Sequence, residues 1–508
     1  MSNSAYVELK NITKAFGLVI ANKNINLEIQ KGEIHALLGE NGSGKSTLVN
    51  MLAGIYSPDS GEIFINGKLT KIDSPKDAIK NKIGMVHQHF KLVEVLSAKE
   101  NIILGQKQGL FIKTKKLSEA IFDIERKYGL VINPDKKIYD MSVGEKQTVE
   151  ILKVIYRGAQ VLILDEPTAV LTPQETHNLF SILHNMRDEG CAIVIITHKL
   201  NEVMEISDKV TVLRKGESIN TVKTSETTAE ELIEMMVGCP ISLAIDRPVM
   251  PDGIKQTRLS VNNLCVESSE KVKLLEDVSF ELKNGEILGV AGIAGSGQKE
   301  LCEAIAGLQK ANAGSIAFDG ENILGLSPRA IIKKGICMSF IPEDRLGMGL
   351  VGSMNIIDNV ILKSYMDSKG IIVDRKAGQK SAENIIKILD VSYADFHQPI
   401  RNLSGGNIQK VLLGREIVLG PQLIITAYPV RGLDIGTSYK IYDVLNEEKK
   451  KGTAILFIGE DLDVLLELCD RILVLSGGKV MKILDARSTN KEELGMLMLG
   501  RKEELSNV

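Results

Sequence analysis

Eight residues early in the chain, Gly39-Glu40-Asn41-Gly42-Ser43-Gly44-Lys45-Ser46, have the types and spacing to cradle a triphosphate. Glycines let backbone N–H groups close around phosphate oxygens, and a helix opening at Lys45 adds the partial positive charge of its N-terminus. Lys45 then reaches the β- and γ-phosphates and Ser46 coordinates Mg2+, with Thr47 beside it. Farther on, Val161-Leu162-Ile163-Leu164 runs into Asp165-Glu166-Pro167, two acids at the end of an apolar strand. Asp165 suits a metal shell, and Glu166 suits polarisation of an attacking water. Gln88 follows the run 83–86 and His198 follows the run 192–196, so each stands at a strand end where a γ-phosphate contact is geometrically reasonable. His87 and His89 flank Gln88 as loop residues with no assigned role. Phe16 lies upstream, placed either to stack on an adenine or to fill the core.

The second half repeats this frame in damaged form. Gly292-Ile293-Ala294-Gly295-Ser296-Gly297-Gln298-Lys299 keeps the glycines and loses the lysine and hydroxyl. In register, Gln88 becomes Glu343, Asp165 becomes Ala427, Glu166 becomes Tyr428 and His198 becomes Glu460. A charge lost ~4 Å from phosphate forfeits about 4 kcal/mol at an effective dielectric of 20. Several such losses together predict no hydrolysis there, although backbone N–H groups survive and Lys299 stands where it could partly substitute. The damage is complementary. The second half carries an intact Leu403-Ser404-Gly405-Gly406-Asn407, where the first reads Met141-Ser142-Val143-Gly144-Glu145, and Asp434 stands where the first half has Thr172.

Matching positions keep register across some two hundred residues, first at an offset of 253 (292 − 39 = 253) and later at 262 (404 − 142 = 262). That is the mark of tandem domains. Within each repeat, short β-rich runs alternate with helical patterns, which argues an α/β domain with a largely parallel, buried sheet. Strands that end in polar motifs place those motifs along the carboxyl edge of the sheet, where ligands of open α/β sheets bind. The expected boundaries are a first domain over 5–240, a Pro- and Gly-bearing linker over 241–256, a second domain over 257–500 and a solvated tail over 501–508.

Composition narrows the setting. Lys+Arg 62 against Asp+Glu 65 leaves a net charge of -3, which gives no sign of a nucleic-acid face. The six cysteines stand singly, without the spacing of a zinc site or disulfide framework, and predict reduced thiols of a cytosolic protein. No stretch approaches the ~18 apolar residues of a membrane span, and Met1-Ser2-Asn3-Ser4 lacks the order of a signal peptide.

Taken jointly, the motifs resemble those of the nucleotide-binding subunits of ABC transporters, in two copies over roughly residues 5 to 500. The resemblance implies two tandem P-loop NTPase domains of α/β class, each a mostly parallel sheet with a helical subdomain. It implies ATP and Mg2+ as cofactors, transport-coupled ATP hydrolysis, and Ser46, Gln88 and Asp165 around the metal. It also implies one working site, in which Lys45, Ser46, Gln88, Asp165, Glu166 and His198 face Ser404, Gly405, Gly406 and Asn407. Two integral-membrane permease subunits and an extracytoplasmic substrate-binding protein are the implied partners, with the chain peripheral at the cytoplasmic face of the membrane. The segment after Gln88 is implied to dock the permease. Met85-Val86-His87-Gln88-His89-Phe90-Lys91-Leu92-Val93 and the 141–147 run resemble the nucleoside-import branch, and Ile341-Pro342-Glu343-Asp344-Arg345 is shared with the monosaccharide branch. The alternatives are sugar import, a soluble tandem ATPase acting on ribosomes or DNA, and a module that senses ATP without hydrolysing it. Two complete sites, and often a long charged linker or zinc cysteines, typify the soluble kind, and this chain has none of those.

Overall fold

The computed structural model describes residues 5–17, 19–106, 114–169, 171–197, 199–238, 245–249, 256–333, 338–342, 344–363, 365, 374–393 and 395–500. The chain divides into two compact units, Met1–Ser242 and Leu243–Val508. No described helix is long and apolar enough to cross a membrane.

In the first unit the elements run β1 (Val7–Phe16), β2 (Val19–Ile29), β3 (Ile34–Leu38), α1 (Lys45–Leu52), β4 (Ser60–Ile65), β5 (Lys68–Leu69), α2 (Pro75–Lys80) and β6 (Ile83–Val86). They continue as α3 (Ala98–Ile103), α4 (Thr114–Tyr128), α5 (Val143–Tyr156), β7 (Val161–Asp165), α6 (Pro173–Asp188), β8 (Ala192–Ile196), α7 (Leu200–Ile206), β9 (Lys209–Arg214), β10 (Glu217–Lys223) and α8 (Ala229–Val237). A six-stranded sheet has the order β10-β9-β3-β8-β7-β6. Its pairs are parallel from β9 through β3, β8 and β7 to β6, and only β10 runs antiparallel, on β9. Strands β3 and β8 are buried at every position. Both faces of a parallel sheet are covered, so these strands are apolar throughout instead of alternating.

A second sheet, β2-β1-β4-β5, is antiparallel. Its alternation of Val7, Leu9, Ile25, Leu27 and Ile29 inward packs onto α1 and the underside of the parallel sheet. The sequence reading foresaw the parallel sheet and not this one. The other face of the parallel sheet is closed by α3, α4, α5 and α6 around Ile121, Val149, Leu152 and Phe180.

The second unit repeats the plan: β11 (Thr257–Glu267), β12 (Lys273–Lys283), β13 (Ile287–Ala291), α9 (Gln298–Ile305), β14 (Ala313–Phe318), β15 (Glu321–Asn322), α10 (Pro328–Lys333), β16 (Met338–Ile341) and α11 (Ile356–Ile361). Then follow α12 (Arg375–Leu389), α13 (Gly405–Val418), β17 (Leu423–Ala427), α14 (Ile435–Lys450), β18 (Ala454–Ile458), α15 (Leu462–Leu468), β19 (Arg471–Ser476), β20 (Lys479–Asp485) and α16 (Lys491–Met498). Its sheets have the orders β12-β11-β14-β15 and β16-β17-β18-β13-β19-β20. The second of these, read from its other end, is the order of the first unit's parallel sheet. The repeat in sequence is thus a repeat in topology.

Candidate active site

The parallel sheet delivers the candidate residues in the way its strand order requires. β3 runs directly into the loop 39–44, and α1 opens at Lys45 with Gly44 as N-cap in the left-handed region at φ 98°. A side chain at Gly44 would run into Ala21 O and the Asn22 amide, so only glycine fits there. Asn22 Nδ2 donates to Gly44 O at 3.2 Å and ties the loop to β2. Asn41, Gly42 and Ser46 are exposed, Glu40 and Thr47 are half-buried, and Gly39 and Ser43 are buried. The Ser43 hydroxyl is buried without a hydrogen-bond partner inside the loop. Lys45 is buried, with Nζ donating to Gly39 O at 2.7 Å and Glu40 O at 2.9 Å. Burial lowers its pKa, against the pull of Glu166, Asp165 and Glu40. A buried ammonium held by two carbonyls of the loop it follows matches a phosphate-binding loop.

β7 ends at Asp165, and the chain turns at Glu166, whose φ of 46° is rare for a residue with a side chain. The turn is fixed from below, since Glu166 N donates to Ile196 O of β8 at 2.9 Å. Gln88 is exposed just past β6 and donates from Nε2 to Glu166 Oε2 at 2.8 Å. Burial, then the neighbouring Glu166, pushes the Asp165 carboxyl up to about 6, with Lys45 pulling the other way. Two adjacent carboxylates with one buried ammonium leave a local excess of negative charge. The oxygen donors of Asp165, Ser46 and Gln88 therefore fit a hard divalent cation.

Lys45, Asp165, Glu166 and Gln88 are thus linked by contact or electrostatics at the carboxyl edge of the sheet. His198 lies outside the described residues. Phe16, at the end of β1, is 44% exposed, with its ring edge-on to Tyr56 at 5.2 Å. The exposure speaks against the core reading, and Lys14 Nζ lies over the ring at 5.6 Å.

The second unit keeps the backbone and loses the chemistry. Tyr428 has φ 51° and donates its N–H to Ile458 O at 2.9 Å, the same turn as at Glu166. Gln298 Nε2 donates to Ile293 O at 3.2 Å, taking up inside its loop the kind of bond that Lys45 makes. Lys299 lies exposed on α9 with Nζ 3.9 Å from Glu303. Arg431 pairs with Glu460 at 3.4 Å and sits over the Tyr428 ring at 5.8 Å. An ion pair and a ring thus stand at the positions that Glu166 and His198 hold in the first half of the sequence. Glu343 lies outside the described residues.

The signature runs differ in the same manner. Ser404 caps α13, Asn407 Nδ2 donates to its hydroxyl at 2.9 Å, and Asn407 Oδ1 accepts from Ser392 N at 2.9 Å. In the first unit Ser142 caps α5, and Glu145 returns to the Ser142 N–H at 2.7 Å as a capping box. Gly144 N there donates to Glu175 Oε1 at 3.2 Å. The amides of 142 and 144 are therefore already filled by carboxylates, which repel any further anion. The second unit places Thr437 where the first has Glu175, and Asp434 turns its carboxylate to its own helix at Thr437. The sequence reading missed Glu175. An acid three residues past a helix cap signals a capping box, and its second oxygen finds Gly144 only in three dimensions.

The comparisons with known proteins agree with this geometry. The ABC transporter family model matches residues 22–169 and again 275–429. The chain is 42% identical over 505 residues to the nucleoside import ATP-binding protein NupA of Lactococcus lactis subsp. cremoris, covering 98% of this chain and 99% of that protein. It is 43% identical to the guanosine import ATP-binding protein NupO of Bacillus subtilis, covering 97% of each. It is 37% identical to the galactose/methyl galactoside import ATP-binding protein MglA of Clostridium perfringens, covering 97% of this chain and 95% of that protein. With the family matched twice along one chain, and near-complete relatives that are ATP-binding proteins, this chain belongs to the ABC transporter family as an ATP-binding subunit.

Proposed function

We propose that this chain hydrolyses ATP to drive an importer of nucleosides, and that hydrolysis runs at one site only. The observation that carries the single site is the complementary pattern of loss. Lys45, Asp165 and Glu166 stand in the unit whose signature amides are filled by Glu145 and Glu175. The intact Ser404-Gly405-Gly406-Asn407 run stands in the unit that has Gln298, Ala427 and Tyr428. The working site pairs the first unit's P-loop with the second unit's signature, and each complement is inert.

Within the first unit, Lys45 leaves its two carbonyl partners to place its charge on the β- and γ-phosphates. Glu166 takes the proton of the attacking water, and Gln88, bonded to that carboxylate, orients the water against the γ-phosphate. His198 completes the γ-phosphate contacts, Phe16 stacks on the adenine, and Gly39 to Thr47 supply the loop. Ser46, Gln88 and Asp165 would hold Mg2+, which would supply positive charge against the phosphate oxygens.

The cargo rests on the relatives at 42% and 43% identity, whose names give nucleoside and guanosine import. A relative at 37% is named for galactose import, so monosaccharide uptake is the second reading. An import ATPase works at the cytoplasmic face of a membrane, on two permease subunits supplied by an extracytoplasmic binding protein. Closure of the two units around ATP is then the stroke that moves the permease.

Two experiments test this. Uptake of labelled purine nucleosides, ribose and galactose is measured with and without the gene, and loss of nucleoside uptake alone is expected. Loss of sugar uptake alone overturns the cargo and keeps the single-site mechanism. In ATPase assays Glu166→Gln should abolish turnover and Tyr428→Phe should change it less than twofold; the reverse ranking sinks the single-site reading.

A further inference from the structure

The chain leaves Gln88 through an exposed loop, and three residues later it meets α5. There the main chain of Lys91 is held from both sides. Its N–H donates to Glu150 Oε1 at 2.5 Å, and its carbonyl accepts from Lys153 Nζ at 2.9 Å. Glu150 and Lys153 are themselves paired at 2.7 Å, one turn apart on α5, with side chains 3% and 12% exposed. A carboxylate so deep in a helical region is rare unless it has partners of this kind. Two residues on, Val93 is held in the same two-sided way by Asn101 of α3, with N to Oδ1 at 2.8 Å and Nδ2 to O at 3.1 Å.

The second unit separates what is structural from what is special. It keeps the Asn clamp intact, with Val351 N to Asn359 Oδ1 at 2.8 Å and Asn359 Nδ2 to Val351 O at 3.1 Å. At that offset (359 − 101 = 258) the partner of Lys91 is Gly349, and at the signature offset (412 − 150 = 262) the partner of Glu150 is Leu412. These two meet as well, since a Cβ on Gly349 would lie 2.9 Å from Leu412 Cδ2. The same two backbone positions are therefore in contact in both units. Only the unit with the intact P-loop makes that contact a hydrogen-bonded, charged one. Where no general base remains to be served, glycine on leucine fills the space.

We infer that Glu150 and Lys153 are positioning residues for ATP hydrolysis, locking the segment after Gln88 onto α5 so that the Gln88 amide is held against Glu166. This rests on the reading of Glu166 and Gln88 given above. An apolar contact fills volume and tolerates sliding, whereas two opposed hydrogen bonds fix the direction of one peptide plane. With Lys91 so fixed, only His89 and Phe90 separate the clamp from Gln88. A misplacement of about 1 Å at a water-orienting group costs on the order of 100-fold in rate.

The test compares Glu150→Leu, which copies the second unit, with Glu150→Gln, which keeps an acceptor for the Lys91 N–H, in the full-length chain. Steady-state ATPase is resolved into kcat and KM, beside ATP affinity and the melting temperature. Glu150→Leu should lower kcat about tenfold or more while KM and ATP affinity stay within twofold, and Glu150→Gln should restore kcat to within about threefold of the parent. Should Glu150→Leu fail to fold, Lys153→Met, which breaks the carbonyl side alone, takes its place with the same kcat-only loss expected. Unchanged kcat, a loss confined to KM, or Glu150→Gln as impaired as Glu150→Leu would overturn the clamp. Glu166→Gln run in parallel separates the two readings. If it abolishes turnover while the clamp variants do nothing, the inference fails and the general base stands. If Glu166→Gln retains turnover, the underlying reading fails first.

Discussion

The charge at Asp165 sets a pH dependence that belongs to one residue. Its carboxyl is pushed up to about 6 by burial and by Glu166, so in the nucleotide-free protein it becomes neutral as pH falls through that value. A neutral carboxyl is a poor ligand for a divalent cation. Proton and metal therefore compete, and the affinity for Mg2+-ADP should weaken about fourfold at pH 5.5 relative to its plateau above pH 7. Calorimetric titration at both pH values checks this, and Asp165→Asn should remove the inflection together with most of the metal dependence. Stability follows with the sign of a raised carboxyl. Its contribution is full below the ordinary carboxylate range and is lost as pH rises through about 6. In the absence of nucleotide, Asp165→Asn should flatten this part of the stability profile of the first unit. Ala427, at the position that matches Asp165, has no ionisable side chain, so the second unit should lack the effect.

Helices carry the next level, because the signature runs work only as helix N-termini. α13 is the one opened by the intact Ser-Gly-Gly, and its seat depends on a close crossing with α12. A Cβ at Gly414 would run into Ile385 Cγ2, with Leu389 Cδ1 at 3.1 Å on the other side. Three heavy atoms have no room there. Gly414→Val should cost about 2 kcal/mol of overpacking, and lower the melting temperature of the second unit by about 5 °C. The first unit has its own cores and should melt as before, which differential scanning calorimetry of the full chain resolves. The β-strands behave otherwise. β3, β8, β13 and β18 are buried at every position, so they act as fixed rails, and function changes between the units at their ends and not along them.

At the scale of the whole molecule the single-site reading makes an asymmetric prediction. Ser142 and Ser404 cap equivalent helices, so Ser142→Glu and Ser404→Glu each lose a cap worth about 1 kcal/mol. The surroundings differ, Glu145 standing on the Ser142 N–H and the neutral Asn407 on the Ser404 hydroxyl, so the melting temperature of each variant is read beside its turnover. On the proposed single-site reading the functional costs are unequal, since that reading gives a γ-phosphate contact to the Ser404 hydroxyl alone. Turnover should fall more than 100-fold for Ser404→Glu and less than threefold for Ser142→Glu, with ATP binding retained in both. Equal losses in the two variants would falsify the pairing of the first P-loop with the second signature. The same asymmetry explains why the residues at 298, 427, 428 and 460 remain packed and paired without their chemistry. They hold the second unit's sheet edge in shape.

The sequence by itself determined the tandem repeat, the buried parallel strands, the phosphate loop and its acidic partner, because each is written in local chemistry. Glycine where backbone must approach, apolar runs where both faces are covered, and acids at a strand end are all short-range statements. It also determined which half keeps the P-loop lysine and the Asp165-Glu166 pair, since that is a matter of residue identity in register. Tertiary structure alone decided the β1–β4 pairing that joins two local hairpins, β1–β2 and β4–β5, into one antiparallel sheet across α1. It alone decided that Glu175 fills the Gly144 amide across 31 residues, and that Glu150 holds Lys91 across 59. A carboxylate in a helix reads as a solvated face until packing removes the water. Only then must its hydrogen bonds be found within the protein, and that requirement makes it specific.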